Sequence, residues 1–220
     1  MRLGSICLPL LLVLAACSDS RESKPPAPPA KAVSATTAST VSAAPPPVSV
    51  AASPDYRVLD VFEVGETVYA RSLLVEADKK TLWVGTSVGA HEIDLESKNV
   101  RQSFTREQGL ANEYIFAIGR DHEGGKWFGT NAGGASRYHN GTWKTYFPMH
   151  GLADYWVYSF ASHPDGTLWI GTWAGANRLD LKTGKMELFL KELVNEWVYA
   201  IQVDAKGRTW FGTEGGDLPV

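Results

Sequence analysis

Cysteine is nearly absent from this chain of 220 residues, and aromatic residues are missing from its first quarter. The two cysteines are Cys7 and Cys17, and no Phe, Tyr or Trp precedes Tyr56. Beyond residue 17 this excludes a disulfide framework, a cysteine nucleophile and a thiolate metal site. Because a segment without aromatic side chains buries too little apolar surface to order itself, the folded domain is predicted to span residues 56–220.

A basic excess and a long apolar run are also missing. The formal net charge is −3 at pH 7, so the charge balance favours neither nucleic acid nor an anionic lipid surface as a partner. The apolar run from Leu8 to Ala16 is too short to span a bilayer and fits the core of a secretory signal.

Residues 1–17 are interpreted as a lipoprotein signal peptide. The segment Leu14-Ala15-Ala16-Cys17 resembles the lipobox of bacterial lipoproteins. That resemblance implies cleavage before Cys17 and acylation of its thiol and its new amine, and two or more acyl chains hold a protein stably on a membrane. Ser18 in place of Asp implies transfer to the outer membrane, facing the periplasm. A plain signal peptide with an incidental Cys17 is the alternative.

Residues 18–55 are predicted to be a disordered linker. They hold eight of the 12 prolines and consist mainly of Ala, Pro, Ser, Thr and Val. Such a segment spans roughly 35 Å as a flexible coil and about 110 Å if it is wholly polyproline-like. It would therefore hold the domain away from a membrane surface.

The remaining residues contain four copies of one unit. A Trp-x-Gly-Thr segment recurs at Trp83, Trp127, Trp169 and Trp210, with spacings of 44, 42 and 41 residues. A strand-like stretch precedes each tryptophan, and a turn with Asp or Gly joins the two: the fourth unit has predicted strands from Val198 to Val203 and from Thr209 to Thr213, with a turn from Asp204 to Arg208 between them. In the third unit Lys185 to Leu190 is predicted to be a fourth strand. Four short strands in each period of about 42 residues predict an all-β chain folded as a β-propeller with about four four-stranded blades.

The repeated segment has a physical explanation in such a fold. We interpret the four tryptophans as core residues between adjacent blades, the glycine as a point of close backbone approach, and the threonine as a hydrogen-bonding group near the turn. The first unit has Ala77 and Lys80 where the others have turn residues, so its turn is expected to differ.

The repeats resemble the two-component regulator propeller repeat. The resemblance rests on Trp-x-Gly-Thr followed by Gly three residues later, and on Gly109-Leu110-Ala111-Asn112 and Gly151-Leu152-Ala153-Asp154 before the next strand. It implies a seven-bladed propeller of the kind found in the periplasmic half of hybrid histidine kinases that respond to sugars. This chain has no kinase or DNA-binding segment, so a signalling output does not follow.

Four repeats are too few for a ring of seven, so the propeller is expected to be incomplete. The fourth copy reaches Gly216 where a third strand is due, while Tyr56 to Phe62 looks like a lone outer strand. Truncation of a longer propeller is the favoured interpretation. Assembly with a second chain and an unusually small ring are the alternatives.

Ligands of propellers bind at the mouth of the central channel, where loops lead into the innermost strands. The candidate residues are one polar acceptor and one aromatic residue in each of three units, together with Trp173, which has no counterpart in the other units: Asn112, Tyr114, Asp154, Trp156, Trp173, Asn195 and Trp197. Aromatic faces beside polar groups suit a sugar. The alternative is that Asn or Asp caps the turn and the aromatic ring packs against the next blade.

The function expected from these patterns is a ligand-sensing or ligand-binding module in the cell envelope, with a carbohydrate as the candidate ligand. A protein-interaction scaffold and a propeller lyase are the alternatives. No catalytic residue, metal site or cofactor is predicted, because the histidines occupy different places in their repeats, without metal-ligand spacing: His91, His122, His139, His150 and His163. Membrane contact through Cys17 and a glycan or protein partner are expected, and nucleic acid is not.

Overall fold

The computed structural model describes residues 61–62, 64–66 and 68–215. The chain divides into two units, residues 1–55 and 56–220, and every described residue belongs to the second. The predicted signal peptide with Cys17, the linker, most of the predicted strand from Tyr56 and the segment from Gly216 lie outside the described residues. No helix in the described ranges has the length and apolar character needed to cross a membrane.

Strands dominate the described residues, as the repeats predict. Blade one contains β1 (Ala70–Glu76), β2 (Thr81–Thr86), β3 (Gly89–Asp94) and β4 (Val100–Phe104). Blade two contains β5 (Ile115–Arg120), β6 (Lys126–Thr130), β7 (Ala135–His139) and β8 (Thr142–Tyr146). Blade three contains β9 (Val157–Ser162), β10 (Thr167–Thr172), β11 (Gly175–Asp180) and β12 (Met186–Phe189), and blade four contains β13 (Val198–Val203) and β14 (Thr209–Thr213).

Each blade is an antiparallel meander in which neighbours in the sheet are neighbours in the chain. The first strands of successive blades, β1, β5, β9 and β13, contact one another, so they form the inner edge of the blade array. The all-β, incomplete propeller is thereby confirmed, with three four-stranded blades and a two-stranded fourth among the described residues. The last strand of blade three, Met186–Phe189, is shorter than the segment from Lys185 to Leu190 that the sequence predicts.

The repeated tryptophans are core residues in the three complete blades. Trp83, Trp127 and Trp169 are 3%, 0% and 8% exposed, and Trp210 in blade four is half-buried. Trp127 lies between Tyr146 of its own blade and Phe160 of the next, with ring centroids 5.0 and 5.9 Å away. The interpretation of the tryptophans as a layer between blades therefore holds.

The glycine of the repeat allows adjacent blades to approach closely. A Cβ built on Gly129 would lie 2.5 Å from the carbonyl oxygen of Val157 in blade three. A Cβ on Gly171 would likewise lie 2.9 Å from the carbonyl oxygen of Val198 in blade four. The threonine that follows is buried and forms a hydrogen bond with the next turn: the hydroxyl of Thr130 donates to the carbonyl of Gly134 at 2.9 Å.

The turn between β1 and β2 of blade one differs from those of the other blades, as expected. A 3₁₀ segment, Ala77–Lys79, ends at Lys80 in the left-handed region with φ 50°. Glu76, one residue earlier than the turn aspartates of blades two and four, accepts a hydrogen bond from the Trp83 ring nitrogen at 3.0 Å. The longer glutamate side chain thus compensates for its earlier position.

Candidate functional site

The loops that lead into the inner strands of blades two and three are built from the Gly-Leu-Ala-Asn/Asp motif. Gly109 and Gly151 have φ values of 112° and 93°, which favour glycine, and each ends a short 3₁₀ segment. The leucine that follows is buried, as Leu110 is at 2% exposure. The motif therefore reverses the chain direction, packs its leucine in the core and connects to the inner strand of the blade.

The polar residues predicted for the site act as turn caps. The side-chain oxygen Oδ1 of Asn112 accepts from the backbone N–H of Tyr114 at 2.9 Å. Asp154 and Asn195 make the same contact with the residues two positions on, at 2.8 and 2.9 Å. The capping alternative thus describes these three side chains, whose effect is to fix the aromatic residue that follows.

The aromatic residues predicted for the site lie together and extend further than the sequence indicated. Seven rings form one continuous set, which we call the aromatic row: Tyr114, Phe116, Trp156, Tyr158, Trp173, Trp197 and Tyr199. The closest pair is Trp173 with Trp197, whose ring centroids are 3.9 Å apart at an interplanar angle of 28°. The rings therefore pack against neighbouring blades and also share one surface.

Three members of the row are absent from the predicted site. Phe116, Tyr158 and Tyr199 sit at matching positions on β5, β9 and β13, and Phe116 stacks on Tyr158 at 5.0 Å and 15°. Each lies two residues after a predicted site aromatic. Alternate residues of a strand point to one face, so the Tyr-x-Phe and Trp-x-Tyr spacing was the signal that could have identified them.

Backbone hydrogen bonds fix Trp173 within the row. Its N–H donates to the carbonyl of Trp156 at 3.1 Å, and Glu214 makes the matching bond to Trp197 in blade four, also at 3.1 Å. The N–H of Gly175 donates to the carbonyl of Glu196 at 2.7 Å, which joins blade three to the loop before blade four. Trp173 therefore sits where two blades meet.

Charged groups lie at both ends of the row. In blade one, Arg71 occupies the position of Phe116, and its guanidinium lies 4.8 Å from the Phe116 ring centroid. At the other end, the hydroxyl of Tyr199 donates to Glu214 at 3.2 Å. Burial, followed by the charges of Tyr199 and Asp154, raises the pKa of Tyr158 above its ordinary value.

The aromatic row is an open wall and not a closed pocket. Its rings are mostly half-buried, and Tyr199 is 41% exposed. A surface hollow of about 280 Å³ lies instead beside Lys79, Trp83 and Tyr138, and another of about 190 Å³ lies beside Arg178. Neither hollow includes a residue of the row, and the accessible aromatic surface, not enclosed volume, marks the candidate site.

Two turn histidines make contacts between neighbouring blades. Nε2 of His163 lies 2.9 Å from the carbonyl oxygen of Gly207 in blade four, and His122 contacts the carbonyl of His163. His91 lies within β3, where burial lowers its pKa. In the part of the chain that the structure describes, no three His, Cys, Asp or Glu side chains are grouped to hold a metal ion.

A family model for the two component regulator propeller matches residues 151–174 and 192–215. The matched segments cover the loop and first two strands of blades three and four, and the resemblance of the repeats to this family is confirmed there. The chain matches no curated protein sequence.

Solved structures share the fold. The chain is similar to the extracellular domain of a hybrid two component system of B. thetaiotaomicron, with 24% identity and a TM-score of 0.63 over 69% of this chain and 22% of that one. It is also similar to a catalytically inactive virginiamycin B lyase from Staphylococcus aureus, with 18% identity and a TM-score of 0.57 over 72% and 57% of the two chains. The chain thus spans about a fifth of the first structure and 57% of the second.

Proposed function

We propose that this protein is a membrane-anchored propeller in the bacterial periplasm that binds or senses a ligand, and that the ligand is a carbohydrate bound along the aromatic row. The observation that carries the proposal is the continuity of seven aromatic rings across three blades, with Trp173 and Trp197 stacked at 3.9 Å. Aromatic faces stack on the apolar faces of sugar rings, and an extended row offers several such contacts to an oligosaccharide.

The cellular placement is supported by the sequence and by the kind of protein that shares the repeat. The lipobox at Cys17 supports an outer-membrane anchor, and the linker over residues 18–55 would give the domain reach. An extracellular domain of a hybrid two component system is among the structures with this fold.

The test is a binding measurement on the full chain with a panel of oligosaccharides. Tryptophan fluorescence is a suitable signal, because Trp156, Trp173 and Trp197 lie in the row. We expect one or more members of the panel to bind, and Trp173→Ala to weaken that binding at least tenfold, about 1.4 kcal/mol. Replacing Tyr155 by Ala is the matched control, since its ring contacts Phe147 and lies outside the row.

Circular dichroism shows whether both variants are folded. Equal sugar affinity in the wild-type chain and a folded Trp173→Ala variant would show that the aromatic row is not the binding site. If no sugar binds, but a purified envelope protein binds in a Trp173-dependent way, the interaction scaffold replaces the carbohydrate proposal. Conversion of a panel member into a new product, detected by mass spectrometry, would instead favour the lyase.

A further inference from the structure

Arg71 differs from every other arginine in residues 68–215. The other six each have a carboxylate within 3.5 Å: Arg101, Arg106, Arg120, Arg137, Arg178 and Arg208. Arg71 is exposed, and none of the carboxylates that the structure describes lies at ion-pair distance from it. Its positive charge therefore has no carboxylate partner within the described part of the chain.

The guanidinium of Arg71 is nevertheless held in place. It lies over the rings of Phe116 and Tyr114, 4.8 and 5.5 Å from their centroids, and Nη1 donates to the Tyr114 hydroxyl at 3.3 Å. Stacking on aromatic faces orients the planar group and leaves its edge for hydrogen bonding. Arginine has five N–H donors, of which this contact uses one.

Arg71 also continues the aromatic row geometrically. It occupies on β1 the place that Phe116 occupies on β5, as the pairing of Ala70 with Thr86 and of Ile115 with Thr130 shows. A ligand that stacks along the rings toward blade one therefore reaches an oriented guanidinium. The rings continue to blade four, where Glu214 accepts from Tyr199, so the two ends of the row have opposite charge.

We infer that the carbohydrate bound by the aromatic row is acidic, and that Arg71 receives the carboxylate of a hexuronic acid at the blade-one end. This inference rests on the proposed function and adds the class of sugar. The guanidinium fork matches a carboxylate in a two-bond geometry, and such charge-assisted pairs are stronger than neutral hydrogen bonds. A neutral sugar would leave that fork with water alone.

The experiment compares matched pairs of sugars on the full chain. Uronic acid oligosaccharides derived from pectin, alginate and hyaluronan are each measured beside the same compound with its carboxylates reduced to primary alcohols. We expect at least one acidic member to bind at least tenfold more tightly than its reduced form at low salt. The preference should shrink at 0.5 M NaCl, because Arg71 is exposed and salt screens its ion pair with the sugar carboxylate.

Three variants identify the group responsible. Arg71→Gln should abolish the preference, so that the acidic and reduced forms of the same sugar bind with equal affinity. Arg71→Lys should retain only part of the preference, since a lysine keeps the charge without the fork. Lys206→Gln, on the turn at the far end of β13, removes one positive charge elsewhere and should leave the preference intact.

Three results would overturn the inference while the proposed function stands. The first is a wild-type chain that binds reduced and acidic sugars equally. The second is an acid preference that survives Arg71→Gln, and the third is one that falls equally with Lys206→Gln. If neither form of any sugar binds, the proposed function fails, and the inference fails with it.

Discussion

The ring nitrogen of Trp169 offers a direct test of how the repeat is stabilised. In blade two, Nε1 of Trp127 donates to Asp121 at 2.7 Å. Blade three has His163 in place of that aspartate, and the buried Nε1 of Trp169 meets no acceptor among the described residues. Trp127→Phe and Trp169→Phe are therefore identical substitutions at equivalent, buried positions, and only the first removes a hydrogen bond of the ring nitrogen.

The expected magnitudes follow from the contacts. Both variants lose the same part of the indole, which costs about 1–2 kcal/mol as a cavity. Trp127→Phe also removes a hydrogen bond to a charged carboxylate, worth about 1.5–3 kcal/mol, whereas Trp169→Phe removes a buried donor whose desolvation without a partner costs about 1–3 kcal/mol. The free energy of unfolding should therefore fall by at least about 2 kcal/mol more in Trp127→Phe.

Urea denaturation of the full chain, followed by far-UV circular dichroism, measures the difference. With a slope of about 2 kcal/mol per molar urea, the two midpoints should differ by about 1 M. The aromatic surroundings are similar, since Trp169 lies 4.8 Å from Phe189 and Trp127 lies 5.0 Å from Tyr146. If the two variants agree within about 0.5 kcal/mol, the ring hydrogen bond does not stabilise the blade and the reasoning is wrong.

Two further predictions concern the contacts between blades and the carboxylates inside them. Gly129→Ala should destabilise the protein by about 1–3 kcal/mol in the same urea assay, because its Cβ would lie 2.5 Å from the carbonyl oxygen of Val157. Gly212→Ala is the control and should cost less, since the nearest atom to its Cβ is 3.3 Å away. Equal losses of stability in the two variants would contradict the close-approach argument. Burial opposes ionisation of Asp121, but hydrogen bonds from Arg137, Trp127 and the Gly125 N–H outweigh it and lower the pKa. The ionised carboxylate therefore stabilises the folded protein above about pH 4, and this contribution is lost as the pH falls through the folded-state pKa. Midpoints measured between pH 7 and pH 3 should fall less steeply in Asp121→Asn than in the wild-type chain, and parallel pH profiles would count against the assignment.

Much of the blade could be predicted from one sequence because its constraints are local and repeated. The turn from Asp204 to Arg208 and the strands Val198–Val203 and Thr209–Thr213 occur where the pattern places them. In each complete blade the Trp-x-Gly-Thr segment specifies a buried ring, a close approach and a threonine hydrogen bond. Strand ends were less predictable, as in β12, since the sheet pairing and not the local residue decides where a strand stops.

The sequence alone identified only part of the candidate site. The sequence singled out Trp156, Trp173 and Trp197, and the hydrogen bonds made by Asn112 and its counterparts settle how these polar groups are used. Arg71 carried no signal, because the repeat is weakest in the first unit and the rings that hold the guanidinium come from blade two.

The sequence by itself determined the all-β repeat and the core tryptophans, since each depends on residue types within one 42-residue unit. The tertiary structure alone decided which rings share a surface and which charges remain unpaired. Those properties arise between blades, from residues such as Arg71 and Tyr114, which are 43 positions apart in the sequence. Only the packing of inner strand against inner strand brings such residues within contact distance.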